Sequence, residues 1–276
     1  MQMGNGISEV LHGRSWSLIA RNIFSARNYL SLIRMMYVVR RPFSGMARYL
    51  FGSGTYPAVV TIRTPIGPQN VKLFSSHDAL TLNEIFCRHD YRTGKPPQFV
   101  LDIGSNIGMS ALYFLTRSAT SYCELYEPNP KNLPRLKENL REFESRFTLH
   151  DLAVGIDQGV AQFATEATGR YGTLDPKSWV YRHGSEMLSE GSEVIPVQVE
   201  SINCIIESAL ARHDVIDLLK IDTEGTELEI TQAINSEFRS RVRRIVIEWP
   251  SKDFTLPGFR ARSAGGTVTL TNMSFK

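Results

Sequence analysis

Cysteine is scarce. Cys87, Cys123 and Cys204 are odd in number, widely separated and never spaced as C-x-x-C. Such a pattern excludes a disulfide framework and a cysteine zinc site, and reads as reduced core thiols of a cytoplasmic protein. No apolar run approaches the roughly 18 residues of a membrane-spanning helix. The start of the chain lacks the charged, apolar and small-residue regions of a secretory signal. Charge of one sign is also nearly missing locally. Residues 1–56 hold seven arginines and one acid, Glu9, a balance of +6. Against +3 for the whole chain, the remainder is −3. A total this small does not argue for a nucleic-acid partner.

What is present is ordinary for a globular protein: 276 residues, 42% hydrophobic and 21% charged, enough for one domain and an extension. The extension covers 1–56. From Ser15 to Val39 the apolar residues Trp16, Ile19, Ile23, Leu30, Ile33 and Tyr37 keep a helical spacing. Arg14, Arg21, Arg27, Arg34, Arg41 and Arg48 recur at nearly every seventh residue, a step that returns a side chain to almost the same azimuth. The pattern breaks near Pro42. Residues 14–48 could therefore lie on an anionic membrane surface. Equally, the helix could dock on the domain with its arginines in water.

Residues 57–97 form a lead-in. Val59–Arg63 and Val71–Phe74 read as a hairpin, and Asp78 as the cap of a helix through Leu82, Ile85 and Phe86. His77, Asp78, Glu84, His89, Asp90 and Tyr91 form a polar cluster that suits either a lid over a cofactor or a plain capped helix.

Residues 98–276 form the main domain, organised around its first strand. Phe99, Val100 and Leu101 run into Asp102, followed by Gly104, Ser105, Asn106 and Gly108 and then a helical pattern. A second strand, Tyr122–Tyr126, stops at Glu127. Strand, glycine turn, helix, strand and acid make half of a nucleotide-binding α/β unit. The glycines allow a tight turn and close approach of a ligand to backbone. Glu127 is placed to accept two ribose hydroxyls. A dinucleotide site calls for G-x-G-x-x-G, which is absent. A carboxylate at Asp102 repels a pyrophosphate but suits a cation such as S-adenosylmethionine.

Downstream, Asn132–Phe143 reads as a helix and Phe147–Val154 as a third strand, with Asp151 and Leu152 where an adenine would be walled. Residues 165–192 show little periodicity and hold Tyr171, Thr173 and His183, candidates for substrate contact. Ile216–Ile221 is a buried strand that delivers Lys220, Asp222, Glu224 and Glu227, and Arg244–Ile247 ends in Glu248. Asp102, Glu127, Asp151, Asp222 and Glu248 all fall at strand ends, where open α/β sheets bind ligands. A divalent metal shared by Asp222 and Glu248 is only weakly signalled, since no histidine accompanies them.

Phe99–Gly108, Glu127–Pro130 and the segment Lys220-Ile221-Asp222-Thr223-Glu224-Gly225-Thr226-Glu227 resemble the FkbM family of S-adenosylmethionine-dependent methyltransferases. The resemblance implies a class I, Rossmann-like α/β fold: a seven-stranded, mostly parallel sheet with helices on both faces. It also implies O-methylation of a hydroxyl on a sugar, glycolipid or polyketide-like acceptor. On that reading Asp102, Gly104, Ser105, Asn106 and Gly108 hold the methionine portion, Glu127 the ribose, and Asp151 with Leu152 the adenine. Asp222 is the first candidate for the base, backed by Glu224 and Glu248, with Lys220 orienting the acceptor or pairing with an acid. Only ten residues, Trp249–Gly258, separate Glu248 from the next strand. A parallel crossover needs about a dozen or more, so the crossover helix is expected short or missing and the C-terminal edge of the sheet shortened. Two rivals remain: an NAD-dependent oxidoreductase, and a non-catalytic adaptor that docks through its arginine-rich helix.

Overall fold

A computed structural model of the chain describes residues 26–166, 169, 172–174, 192–248, 254–264 and 266–275. Two compact units divide at His89 and Asp90.

The first unit begins with α1 (Ala26–Val38) and α2 (Pro42–Phe51). Pro42 occupies the first turn of α2, where its missing N–H costs nothing, and Gly52 ends the helix at φ 62°. Strands β1 (Ala58–Thr64) and β2 (Gly67–Leu73) pair as the expected antiparallel hairpin. Helix α3 (Ser76–Leu82) follows and continues as a wider turn over Asn83–Cys87. Met35, Val39, Ile62, Val71, Leu82 and Phe86 are buried. The expected boundary at 56/57 therefore falls inside a unit, because Val39 bridges to Ile62 of the hairpin. Asp78 sits in the first turn of α3, and its Oδ2 accepts from Phe74 N and Ser75 N at 2.6 and 2.9 Å. Glu84 pairs with Arg88 at 3.3 Å. These two acids serve their own helix, the plainer of the two readings of the polar cluster.

In the second unit the elements run β3 (Phe99–Ile103), α4 (Met109–Leu115), β4 (Tyr122–Tyr126), α5 (Leu133–Leu140), β5 (Phe147–His150), β6 (Ala153–Gly155), β7 (Gly159–Thr165), β8 (Gly172–Thr173) and β9 (Glu193–Ser201). Then come α6 (Ile202–Leu210), β10 (Leu218–Ile221), α7 (Glu227–Ala233), α8 (Ser236–Arg239), β11 (Arg244–Glu248), β12 (Phe259–Ala264) and β13 (Thr267–Asn272). The main sheet has seven strands in the order β12-β13-β11-β10-β3-β4-β5. Strands β11, β10, β3, β4 and β5 are parallel, and β13 runs antiparallel to both β11 and β12. A smaller sheet, β6-β9-β7-β8, stands beside it.

Alternation along β3 sets the layers. Phe99, Leu101 and Ile103 share a core cluster with Ile202, Ile205 and Ile206 of α6 and Ile230 of α7. Asp102 faces the opposite side, where Ser110 of α4 lies.

Two expectations need correction. Phe147–Val154 is not one strand, because β5 ends at His150 and β6 starts at Ala153 in the other sheet. Nor is the C-terminal edge short, since β12 and β13 complete seven strands. No helix forms over 254–258. Phe254 and Leu256 are buried in the core cluster.

Candidate active site

The strand order reverses direction between β10 and β3, and a cleft opens there at the carboxyl ends of the parallel strands. Ligands of open α/β sheets bind at such points. Gly104, Asn106, Glu127, Leu152, Asp222 and Glu224 are among its lining residues.

The glycine turn forms because two strand ends nearly touch. Gly104 has φ 74°, and a Cβ there would lie 1.8 Å from the backbone oxygen of Asp222. Only glycine permits that approach. Ser105 turns inward, its Oγ donating to Asp102 O at 2.8 Å. Gly108 has φ 84° and packs against Leu136 and Leu140 of α5. Ser105 and Gly108, both expected at the cofactor, shape the turn and do not line the cleft.

Asp102 departs furthest from expectation. Its side chain is fully enclosed, and Ser110 Oγ donates to its Oδ2 at 2.6 Å. Lys220 lies opposite it in the β10–β3 register, with Nζ 3.1 Å from Oδ1. Burial raises the Asp102 pKa, while Lys220 and Ser110 oppose the rise. The carboxylate expected to face a ligand is thus neutralised inside the sheet.

Lys220 itself is 1% exposed. Its Nζ lies 3.3 Å from Asp222 Oδ2 and donates to Gly104 O at 2.7 Å. Burial works against its charge, but Asp102, Asp222 and Glu248 outweigh that and push its pKa up. Of the two roles expected for Lys220, pairing with acids is the one the geometry displays. Its ammonium thus lies between the carboxylates of Asp102 and Asp222. Among the described residues no three His, Cys, Asp or Glu side chains converge as metal ligands.

The acids that do line the cleft are Glu127, Asp222 and Glu224, and among the described residues no lysine or arginine joins them. Glu127 is 4% exposed. Its Oε2 accepts from Asn106 N at 2.7 Å, and its Oε1 from Asn129 N at 2.9 Å and Asn132 Nδ2 at 3.3 Å. Burial pushes its carboxyl up to about 7, partly countered by those donors. Glu224 stands at φ 55° in the loop after β10. Glu227 folds back to accept from Thr223 N and Gly225 N, both at 2.9 Å, and so fixes that loop. Glu248 accepts from the hydroxyl of Tyr91, whose ring lies 5.9 Å from Lys220 Nζ.

The other expected residues divide. Leu152 lines the cleft, but Asp151 is exposed and lies off it. Thr173 is enclosed where β8 pairs with β7, so strand alternation gives the cleft Gly172 and Leu174 instead. Tyr171 and His183 lie outside the described residues. Asn129 and Asn132, not singled out from the sequence, connect the acid to the segment beyond β7. Asn132 Nδ2 donates to Gly169 O at 2.8 Å, and Asn129 Nδ2 to Thr165 Oγ1 at 2.8 Å. The sequence marks Asn129 only by the flanking Pro128 and Pro130, and Asn132 only as the start of a helix. Asn132 Oδ1 is buried without a donor among the described residues.

Comparison with known proteins accords with this geometry. A profile of the Methyltransferase FkbM domain matches residues 102–260, more than half of the chain. Methyltransferase sdnD of Sordaria araneosa is 27% identical over 190 residues, 60% of this chain and 72% of that protein. The 2-O-methyltransferase NoeI of Sinorhizobium fredii is 28% identical over 166 residues, 58% of this chain and 66% of that one. A crystal structure of methyltransferase FkbM from Methylobacillus flagellatus superposes with a TM-score of 0.44 at 15% identity. The superposition covers 71% of this chain and 54% of that one, so the present chain spans about half of the longer protein. On the strength of the profile match the chain belongs to the FkbM methyltransferases, enzymes that transfer methyl groups.

Proposed function

We propose that the cleft binds S-adenosylmethionine and that the enzyme methylates a hydroxyl of a small-molecule or glycan acceptor. The observation that carries the reading is the lining: three carboxylates and, among the described residues, no cationic side chain. Such a surface favours a sulfonium and opposes the pyrophosphate of NAD. The residues fit the cofactor in other ways. Glu127 stands at the end of the second strand on the cleft wall, and Asn132 Oδ1 is a buried acceptor without a donor among the described residues. An orphaned acceptor of this kind is costly unless a ligand supplies its hydrogen.

When bound, the cofactor supplies a methyl carbon that is already electrophilic, so the chain has to orient, exclude water and manage one proton. Glu127 accepts from the ribose hydroxyls, and Leu152 walls the adenine. Asp222, at the end of β10 and 22% exposed in its side chain, accepts the proton of the acceptor hydroxyl. Lys220 holds that carboxylate in place from beneath. Glu248, oriented by Tyr91, and Glu224 stand behind Asp222 as further acids. NoeI, a 2-O-methyltransferase by name, favours a hydroxyl acceptor over a nitrogen or carbon one. The test is transfer of isotopically labelled methyl from S-adenosylmethionine to a panel of hydroxylated glycans and small molecules. Transfer to oxygen supports the reading, whereas label found only on nitrogen or carbon rejects it.

A further inference from the structure

Between Glu9 and Asp78 the chain carries nine lysines and arginines and no acid. The described part of that stretch collects three of the arginines around one concavity. Arg40, Arg41 and Arg48 line a cleft of roughly 700 Å³ where the turn after α1 meets α2 and β1. The turn is fixed there, because Arg40 N donates to Thr61 O at 2.9 Å and Val39 bridges to Ile62. Arg48 is also held, with Nη1 donating to Thr55 O at 3.2 Å and the guanidinium 5.0 Å from the centre of the Tyr56 ring. Arg40 and Arg41 are exposed.

Large apolar side chains stand in water around this cleft. Tyr37 and Phe43 flank the Val39–Arg41 turn at 73% and 76% exposure, and Val59, on the cleft wall, is 65% exposed. Tyr29, Ile33 and Tyr37 repeat at every fourth residue, a single stripe along α1, and each is more than half exposed. A soluble anion would account for the arginines but not for the aromatic stripe. An apolar protein partner would account for the stripe but not for a stretch purged of acids. Guanidinium groups beside exposed Phe and Tyr match a boundary where phosphates overlie hydrocarbon.

We infer that this face of the first unit docks on an anionic lipid surface, with a headgroup phosphate in the Arg40–Arg41–Arg48 cleft and Phe43 and Tyr37 at the level of the acyl chains. Three arginines on one phosphate layer make the contact salt-dependent. The inference stands apart from the methyl-transfer reading, since it uses none of the cleft residues of the second unit.

Flotation of the full chain with vesicles tests it. Vesicles of phosphatidylcholine with about one-third phosphatidylserine should carry the protein up, phosphatidylcholine alone should not, and salt of roughly 0.5 M should release it. Arg40→Gln with Arg41→Gln should weaken binding about tenfold or more. Phe43→Ser should weaken it while keeping the preference for phosphatidylserine, and circular dichroism checks that both variants fold. Three results would overturn the inference. One is failure to float with anionic vesicles, including the case where inorganic phosphate saturates the cleft in calorimetry. Another is undiminished binding by the folded double-arginine variant. The last is a dimer in solution that Phe43→Ser converts to a monomer while vesicles are ignored.

Discussion

Lys220 faces Asp102 across the β10–β3 ladder, and the two charges meet at 3.1 Å with both side chains enclosed. The pair sits directly beneath the cleft and ties Asp222 and Gly104 O to the same ammonium. A buried charge left alone costs far more than the pair gains. Lys220→Met is therefore expected to destabilise the protein by about 3–5 kcal/mol, because Asp102 would remain buried without its partner. Lys220→Met combined with Asp102→Leu should recover most of that loss. Urea unfolding followed by circular dichroism measures both, and additive losses in the double variant would contradict the coupling.

Glu127 makes a prediction about pH. Its carboxyl is pushed from 4.5 to about 7 by burial. An acid whose folded pKa lies above its unfolded one holds its proton more tightly when folded. Its contribution therefore favours folding below the unfolded value and fades as pH rises through the folded one. Stability of the cofactor-free protein should fall across that window by up to about 3 kcal/mol relative to Glu127→Gln, which has no such titration. Cofactor binding should run the other way. Ribose hydroxyls donate to the ionised form, so affinity should rise nearly tenfold per pH unit up to about 7 and then level off. Parallel pH curves for the two proteins would refute both statements.

Gly104 cannot be replaced cheaply. Alanine there would combine φ 74° with a Cβ 1.8 Å from Asp222 O. Relief requires parting β3 from β10, where Asp222 N donates to Ile103 O. We expect Gly104→Ala to lose at least about 3 kcal/mol of stability. Gly67→Ala, at φ 117° with nothing within 4 Å of the added carbon, should lose only about 1 kcal/mol. Thermal melts of the two variants side by side give the comparison.

Much of this was legible in the sequence, and the failures have identifiable causes. The strand–glycine–helix–strand pattern from Phe99 to Glu127 is local, and the structure reproduces it. The enclosure of Asp102 is not local, because Lys220 arrives on a strand far downstream that pairs with β3 only in the folded sheet. Sequence reading therefore assigned to Asp102 a field that Glu127, Asp222 and Glu224 supply at the cleft. The C-terminal edge is complete despite the short connection, because β13 pairs antiparallel with β11 and needs no parallel crossover. Phe254 and Leu256, on the last part of that connection, add two buried side chains to the core. Asn129 and Asn132 escaped notice because an amide's value lies in what it bridges, here Glu127 to Gly169 and Thr165.

Asp222 should separate binding from chemistry. Asp222→Asn keeps the shape of the side chain but removes the proton acceptor, so kcat should fall about 10²–10⁴-fold. Affinity for S-adenosylhomocysteine should change little. Tyr91→Phe removes the donor to Glu248 and should lower kcat by about tenfold or less, because Glu248 loses orientation but not charge. Steady-state rates with labelled cofactor, beside calorimetric affinities, check this. A fall in affinity as large as the fall in rate would remove Asp222 from the chemical step.

Calorimetric titration of the wild-type protein and Glu127→Gln with S-adenosylhomocysteine and with NAD is the most direct test of the acid-lined cleft as a cofactor site. The account predicts one S-adenosylhomocysteine site per chain, weakened by at least about tenfold in the variant, and no heat with NAD. Saturable binding of NAD, or affinity for S-adenosylhomocysteine that ignores the loss of Glu127, would contradict it.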